Sequence, residues 1–180
     1  MGHCNREIEK KFIVEAGTLD EVQALIHQLL GAKNVESTLH DASRDYYWDT
    51  PQGLNADFIR LRIMPDDTAQ LTLKHTDKGD NTDRIEIDVP VNSPEQGRAF
   101  LTHLIGESTG SIYKEYYVFF LDKRDTAVSV YRVRGDKRIF VEIEARSLER
   151  VEKLVERVGT TVVLNPEARS LYQIFIQKKE

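Results

Sequence analysis

The chain has 180 residues, of which 40% are hydrophobic and 31% are charged, and its formal net charge is −5. This composition is typical of a globular domain with its own core and excludes a disordered chain. No apolar run approaches the ~18 residues of a membrane span, and the polar start MGHCNREIEKK is unlike a signal peptide. A single cysteine, Cys4, excludes an internal disulfide framework. We therefore expect a cytoplasmic protein with no membrane partner.

The acidic balance also bears on the partners of the protein. Nucleic-acid-binding proteins are usually basic overall, so we expect no nucleic-acid partner. A negative net charge does not exclude a local basic pocket, however. No repeat, low-complexity tract or Pro/Gly-rich linker divides the chain, which predicts a single domain over residues 1–180.

The first half of the chain predicts one helix among several strands. The helix lies in TLDEVQALIHQLLG, where Thr18 and Glu21 form a capping box and Gly31 is a stop signal. Alternating apolar and polar residues predict the strands of this half. These strands are 5–13, 43–49, 57–64, 69–75 and 82–90. The segment DKGDNTD, between the last two, has the composition of a turn.

The second half predicts three helices and three further strands. The first helix, in SPEQGRAFLTHLIG, begins with Ser93 as N-cap and Pro94 at its first position. The second, in SLERVEKLVERVG, has one apolar face, and the third lies in PEARSLYQIFIQKK. The strands of this half are 112–121, 126–133 and 138–145. Short polar turns favour antiparallel pairing, so we expect an α+β fold in which helices cover an antiparallel sheet or barrel.

Charged residues dominate the polar positions of the predicted strands. FIRLRI, for example, alternates Arg60 and Arg62 with apolar residues. On a single strand this pattern is typical of a solvated sheet face. If the sheet closes, however, the same positions line a lumen. The charged set comprises Glu7, Glu9, Glu86, Asp88, Glu142, Glu144, Lys11, Arg60, Arg62, Lys74, Arg84 and Lys114.

Charges confined in a cavity are costly unless they pair or meet ions and ligands. Clustered carboxylates suit a hard cation such as Mg²⁺ or Mn²⁺. Inward-facing arginines and lysines suit a polyanion, because arginine binds phosphate through two hydrogen bonds at once. Both groups in one cavity would indicate a metal–polyphosphate ligand.

These segments resemble a known family. EIEKK at residues 7–11 is similar to the E-x-E-x-K signature of the CYTH, or triphosphate tunnel metalloenzyme, superfamily. That superfamily includes thiamine triphosphatases, inorganic triphosphatases, class IV adenylyl cyclases and fungal RNA triphosphatases. The segments DYYWDTP, RLR, LTLK, RIEID, YKEYY, FVEIE and RSLY then follow in the order of the family pattern. The resemblance therefore extends over nearly the whole chain.

The resemblance implies an eight-stranded antiparallel closed barrel with a charged lumen and helices outside. It implies that the barrel binds a triphosphate together with a divalent metal, Mg²⁺ or Mn²⁺. The metal ligands that it implies are Glu7, Glu9, Glu142 and Glu144. The implied substrate-binding residues are Arg60, Arg62, Lys74, Arg84, Lys114 and Arg169. Lys11 and Tyr47 match positions with a catalytic role.

Two positions depart from the family pattern. The family often reads K-x-R where this chain has Lys114-Glu115-Tyr116, so an expected arginine is missing. An acidic residue is also frequent in the next strand, where this chain has Tyr131 in VSVYRV. With fewer charged groups, a one-metal site is better supported than a two-metal site.

Three functions fit these residues. The first is hydrolysis of a small triphosphate, the second is cyclisation of ATP to cyclic AMP and pyrophosphate, and the third is binding of polyphosphate without catalysis. The segment YYWDTP favours the phosphatase branch by resemblance. No G-x-x-x-x-G-K-[ST] loop or G-x-S-x-G elbow is present to indicate another enzyme class. The expected partner is a small-molecule triphosphate, and the chain is expected to be a monomer or a homodimer.

Overall fold

The structure is a computed structural model that describes residues 3–15, 17–76 and 83–177. The strands are β1 His3–Val14, β2 Ser37–Trp48, β3 Phe58–Ile63, β4 Ala69–Thr76, β5 Asp83–Val91, β6 Gly110–Leu121, β7 Thr126–Val133, β8 Ile139–Ala145 and β9 Asn165–Pro166. The helices are α1 Leu19–Leu30, α2 Pro94–Ile105, α3 Leu148–Gly159 and α4 Leu171–Phe175. None of the described helices is long and apolar enough to cross a membrane.

The strands form one hydrogen-bonded sheet that closes on itself. Its order is β5-β4-β3-β2-β6-β7-β8-β1-β9, and β5 also pairs with β1. The pairs whose register is defined are antiparallel. The α+β class and the closed eight-stranded barrel with helices outside are therefore confirmed, with β9 as a short addition to β1. The charged lumen stays a prediction.

The described chain separates into two compact units. The first unit comprises residues 3–6, 42–76, 83–113 and 169–177, and the second unit comprises residues 7–15, 17–41 and 114–168. Each unit has an apolar cluster on one face of its strands. In the first unit, Leu101 of α2 packs with Trp48 and Leu61. In the second unit, α1 and α3 pack on the apolar faces of β7 and β8. The single-domain expectation stays a prediction.

Most predicted elements lie within one or two residues of their observed bounds, but two differ more. β2 begins at Ser37, six residues before the predicted start. The preceding backbone is already held by a neighbouring strand, because Glu36 N donates to Phe120 O at 2.9 Å. This polar segment carries no apolar alternation, so the sequence pattern missed it. Residues 77–82, most of the predicted turn DKGDNTD, lie outside the described residues.

The last predicted helix is wrong over its first half. Of the segment's residues that the structure describes, up to residue 177, Leu171–Phe175 is helical, and Ser170 caps this helix through a capping box with Gln173. Residues Asn165–Pro166 instead pair with Phe12 and Ile13 of β1. A proline at the start of an apolar periodic segment is typical of a helix N-terminus. Here that proline is recruited to a sheet edge, where its missing N–H costs nothing.

The α1 capping box is confirmed by its hydrogen bonds. Glu21 N donates to Thr18 Oγ1 at 3.3 Å, and Thr18 N donates to Glu21 Oε2 at 2.7 Å. The latter bond lowers the pKa of the Glu21 carboxyl below its ordinary value. The box therefore fixes the start of a helix whose buried face, from Leu19 to Leu30, covers the second unit.

Replacing Thr18 by alanine should lower the free energy of unfolding by about 1 kcal/mol, because it removes the side-chain acceptor at the N-cap. Thr18→Ser is the matched control, since it keeps that acceptor and should remain near wild type. Urea denaturation of both variants measures the difference. Equal stability of Thr18→Ala and Thr18→Ser would contradict the role of the cap.

Candidate functional site

In the second unit, β1 and β8 bring acidic and basic residues to one face. The two strands are antiparallel, with Lys11 opposite Glu142 and Glu9 opposite Glu144. Alternate residues of a strand point to opposite faces. The intervening residues, among them Phe12 and Val141, therefore pack in the apolar cluster under α1 and α3.

Lys11 lies between two carboxylates on this face. Its Nζ is 3.0 Å from Glu142 Oε1 and 3.6 Å from Glu9 Oε1. Lys11 and Glu9 are buried, and Glu142 is half-buried. Removing one partner of such a buried ion pair leaves the other charge uncompensated, which strongly destabilises the fold. We call Glu9, Lys11 and Glu142 the acidic cluster.

Two tyrosines adjoin the acidic cluster through β7 and β6. The Tyr131 hydroxyl donates to Glu142 Oε1 at 2.9 Å. Tyr116 is the direct cross-strand partner of Tyr131. The Lys114 ammonium lies 5.2 Å from the centroid of each of these two rings. The two departures from the family pattern are therefore neighbours, and both contact residues of the predicted site.

In the first unit, β3 carries two of the predicted phosphate-binding residues. Arg62 donates to both oxygens of Asp45, with Nε–Oδ1 of 2.9 Å and Nη2–Oδ2 of 3.0 Å. Asp45 is fully buried, and it also accepts a hydrogen bond from Ser43 Oγ at 3.0 Å. Arg62 is thus clamped by a planar, two-bond ion pair. Sequence reasoning missed Asp45, because Arg44 precedes it in β2 and no apolar–polar alternation surrounds it.

Arg60 is held by a neutral side chain instead. Its Nη2 donates to Thr72 Oγ1 at 2.9 Å, and Thr72 in turn donates to Asp88 Oδ1 at 2.6 Å. The buried Nε of Arg60 donates to no acceptor among the residues that the structure describes. Lys74, which is buried, forms an ion pair with Glu86 of β5. We call Arg60, Arg62 and Lys74 the basic face.

The remaining predicted substrate-binding residues lie in three places. Arg84, in β5, is buried and is the cross-strand partner of Thr76. Arg169 is exposed and immediately precedes Ser170, the N-cap of α4. Lys114 belongs to the second unit, beside the two tyrosines.

Tyr47, the second predicted catalytic residue, is packed among aromatic side chains. It is only 2% exposed. Its ring centroid lies 5.4 Å from that of Phe58 and 5.9 Å from that of Tyr172. The Tyr172 hydroxyl donates to Asp49. Packing against these aromatic side chains explains the position of the Tyr47 ring. A catalytic role for Tyr47 stays a prediction.

The predicted metal ligands can be compared with the needs of a divalent ion. No group of three His, Cys, Asp or Glu side chains within residues 3–15, 17–76 and 83–177 is arranged to hold a metal. Glu9 and Glu142 nevertheless converge on one cationic atom, the Lys11 Nζ. Mg²⁺ is typically bound by one or two carboxylates together with waters and substrate phosphates. The donor set therefore fits such an ion, while the ligand assignments stay predictions.

Comparison with known proteins identifies the family. The CYTH domain model matches residues 5–169. The chain belongs to the CYTH family. Enzymes of this family are triphosphatases or cyclases, and they depend on divalent metals. A search of curated proteins found no match.

Solved structures share the fold of this CYTH protein at low sequence identity. A conserved hypothetical protein from Pyrococcus furiosus is 20% identical, with a TM-score of 0.72 over 94% of this chain and 99% of that one. A proposed adenylyl cyclase from Hippeastrum, reported to have a dominant triphosphatase activity, is 16% identical, with a TM-score of 0.65 over 94% of each chain. A proposed adenylate cyclase from Vibrio parahaemolyticus is 17% identical, with a TM-score of 0.64 over 93% of this chain and 97% of that one.

The Asp45–Arg62 pair generates a stability prediction. Asp45→Asn should lower the free energy of unfolding by about 3 kcal/mol, because it leaves the Arg62 guanidinium without its charged partner. Arg146→Gln is the control, since it removes an exposed ion pair with Asp125 and should change stability by less than about 1 kcal/mol. Chemical denaturation measures both. Similar losses in the two variants would show that burial of the pair is unimportant.

Proposed function

We propose that this CYTH protein hydrolyses a triphosphate compound with the help of Mg²⁺ or Mn²⁺. The observation that carries the proposal is the Arg60 guanidinium, whose buried Nε has no acceptor among the described residues. A buried donor without an acceptor requires an explanation. A phosphate oxygen is a suitable acceptor, because arginine and phosphate form charge-assisted hydrogen bonds.

The basic face supplies the binding groups in this proposal. Thr72 fixes one nitrogen of Arg60, and Asp45 fixes two nitrogens of Arg62. Side chains that are already held in place lose little further freedom when they bind a ligand. Lys74 adds a point charge, for which phosphate oxygens would compete with the Glu86 carboxylate. The basic face would thus orient the phosphate chain and neutralise part of its charge.

The acidic cluster supplies the second group of roles. Glu9 and Glu142 would hold the metal, with Glu7 and Glu144 on the same strand faces as further candidates. A divalent ion, when bound, polarises phosphoryl oxygens and stabilises developing negative charge. Lys11, which contacts both carboxylates, would neutralise charge on the substrate. Phosphoryl transfer depends mostly on such positioning and charge stabilisation.

Adenylyl cyclase activity is the second candidate, favoured by the fold shared with the Vibrio parahaemolyticus and Hippeastrum proteins. Both reactions use the same phosphate-binding groups and differ in the nucleophile, which is water in one and the ribose hydroxyl in the other. Binding of polyphosphate without turnover is the third, since Tyr116 and Tyr131 stand at positions that are often charged in the family pattern. We favour hydrolysis, because the segment YYWDTP resembles the phosphatase branch of the family.

Product analysis separates the three candidates. The protein is incubated with Mg²⁺ or Mn²⁺ and, separately, with tripolyphosphate, thiamine triphosphate and ATP. Hydrolysis predicts release of orthophosphate, which a phosphate assay detects. Cyclic AMP and pyrophosphate without orthophosphate would refute hydrolysis in favour of the cyclase. Absence of products, with tripolyphosphate binding seen by calorimetry, would leave only a binding function.

The metal assignment predicts the effect of removing one carboxylate. Glu9→Gln and Glu142→Gln should each lower metal-dependent turnover by at least ~100-fold, because loss of an outer-shell partner alone costs ~10- to 100-fold. Glu115→Gln, an exposed residue on the opposite face of β6, is the control and should retain activity. Wild-type rates in Glu9→Gln and Glu142→Gln would refute the assignment.

The phosphate assignment predicts a separate effect of removing a guanidinium. Arg60→Ala should raise KM by ~10- to 100-fold, the equivalent of one or two charge-assisted hydrogen bonds. Arg132→Ala removes a surface guanidinium that pairs with Glu115 and should leave KM unchanged. Steady-state kinetics on the best substrate measures both variants. An unchanged KM for Arg60→Ala would contradict its contact with phosphate.

A further inference from the structure

Tyr116 and Tyr131 form a pair whose contacts extend beyond packing. Strands β6 and β7 are antiparallel, and the two residues are direct cross-strand partners. They are 6% and 1% exposed, so both rings are removed from water. Among their neighbours are Lys114 and Glu142.

The two rings hold a cation. The Lys114 ammonium lies 5.2 Å from each ring centroid, within the range of about 6 Å over which a cation is attracted by an aromatic face. Lys114 is only 8% exposed. Aromatic faces stabilise a buried ammonium by cation–π attraction. The two rings therefore help to fix the position of the Lys114 ammonium.

The Tyr131 hydroxyl holds an anion. It donates to Glu142 Oε1 at 2.9 Å, the same oxygen that lies 3.0 Å from the Lys11 Nζ. Two donors, one on each of the strands that flank β8, thus fix the direction of the Glu142 carboxylate. Carboxylates that bind metals are commonly oriented by hydrogen bonds from neighbouring residues that do not themselves contact the metal. These hydrogen bonds raise the affinity for the metal. Stacking on Phe140, at 5.3 Å between centroids, in turn fixes the Tyr131 ring.

We propose that the Tyr116–Tyr131 pair positions both kinds of group in this site, its rings holding Lys114 for phosphate and the Tyr131 hydroxyl holding Glu142 for the metal. The inference rests on the proposed function for the identity of the two ligands. Tyr131 is a positioning residue, because it acts through Glu142 and Lys114. The two contacts use different atoms of the side chain, so substitutions can separate them.

Tyr131→Phe removes the hydroxyl and keeps the ring. Calorimetry with Mn²⁺ alone, on the substrate-free protein, should show binding weakened by about tenfold, the usual loss for one hydrogen bond to a charged group. Binding of tripolyphosphate without metal should stay within about twofold of wild type. Tyr117→Phe is the matched control, because it removes a hydroxyl from the opposite face of β6, where it donates to Asp20 at 2.9 Å. It should change neither affinity.

General damage to the fold would weaken the binding of both Mn²⁺ and tripolyphosphate. The decisive result is therefore a loss of Mn²⁺ affinity without a matching loss of tripolyphosphate affinity. Unchanged Mn²⁺ affinity in Tyr131→Phe, or an equal loss for both ligands, overturns the proposal. The measurement needs no turnover. A protein that binds Mn²⁺ and tripolyphosphate but hydrolyses nothing would refute the proposed hydrolysis and leave this test intact.

A second set of variants tests whether the tyrosines act as a unit, including the case in which Tyr131→Phe does not fold. Tyr116→Arg and Tyr131→Asp each place one new charge on the pair, and each should weaken tripolyphosphate binding or lower the thermal midpoint. The double variant places opposite charges at facing positions and should recover at least half of either loss on a logarithmic scale. Simple addition of the two single effects would overturn the proposal.

Discussion

Buried charges on neighbouring strands hold one another in place, and the arrangement of both charged faces depends on this pairing. Lys11 is buried beside two carboxylates, Glu9 of its own strand and Glu142 of β8. Arg62 is held in the same way by Asp45, which has no exposure to solvent of its own. An unpaired charge in such a position would cost several kcal/mol. The strands must therefore keep a register that brings opposite charges together.

The same register explains where the apolar core lies. Because successive side chains point to opposite faces, a strand that presents charges on one side presents valine, isoleucine or leucine on the other. In the second unit this apolar side lies under α1 and α3, and in the first unit it receives Leu101 of α2. A slip by one residue would expose the core and bury the charges in it. Core packing and site geometry are thus fixed by one constraint.

The basic face differs from a simple row of cations because a neighbouring side chain holds each cation in place. Arg62 has a direct acidic partner, Lys74 is paired with Glu86, and Arg60 reaches Asp88 only through Thr72. These partners orient the cations and reduce their mutual repulsion. Lys114 lies beside two aromatic rings, which attract its ammonium by cation–π interaction. Arg62 and Lys74 would have to exchange or share an acidic partner on binding an anion.

The sequence by itself determined the strands, three of the helices, the closed antiparallel class and the family, because period-two alternation, capping boxes and an ordered series of short motifs are local signals. It also selected most of the charged residues that face one another. Only the tertiary structure decided the partners: Asp45 for Arg62, Thr72 for Arg60 and Tyr131 for Glu142. Such pairs depend on which strands are neighbours and in what register, and this is set by contacts between residues far apart in the chain. The early start of β2 and the pairing of Pro166 with β1 escaped prediction for the same reason, since backbone hydrogen bonds to distant strands leave no periodic trace in the sequence.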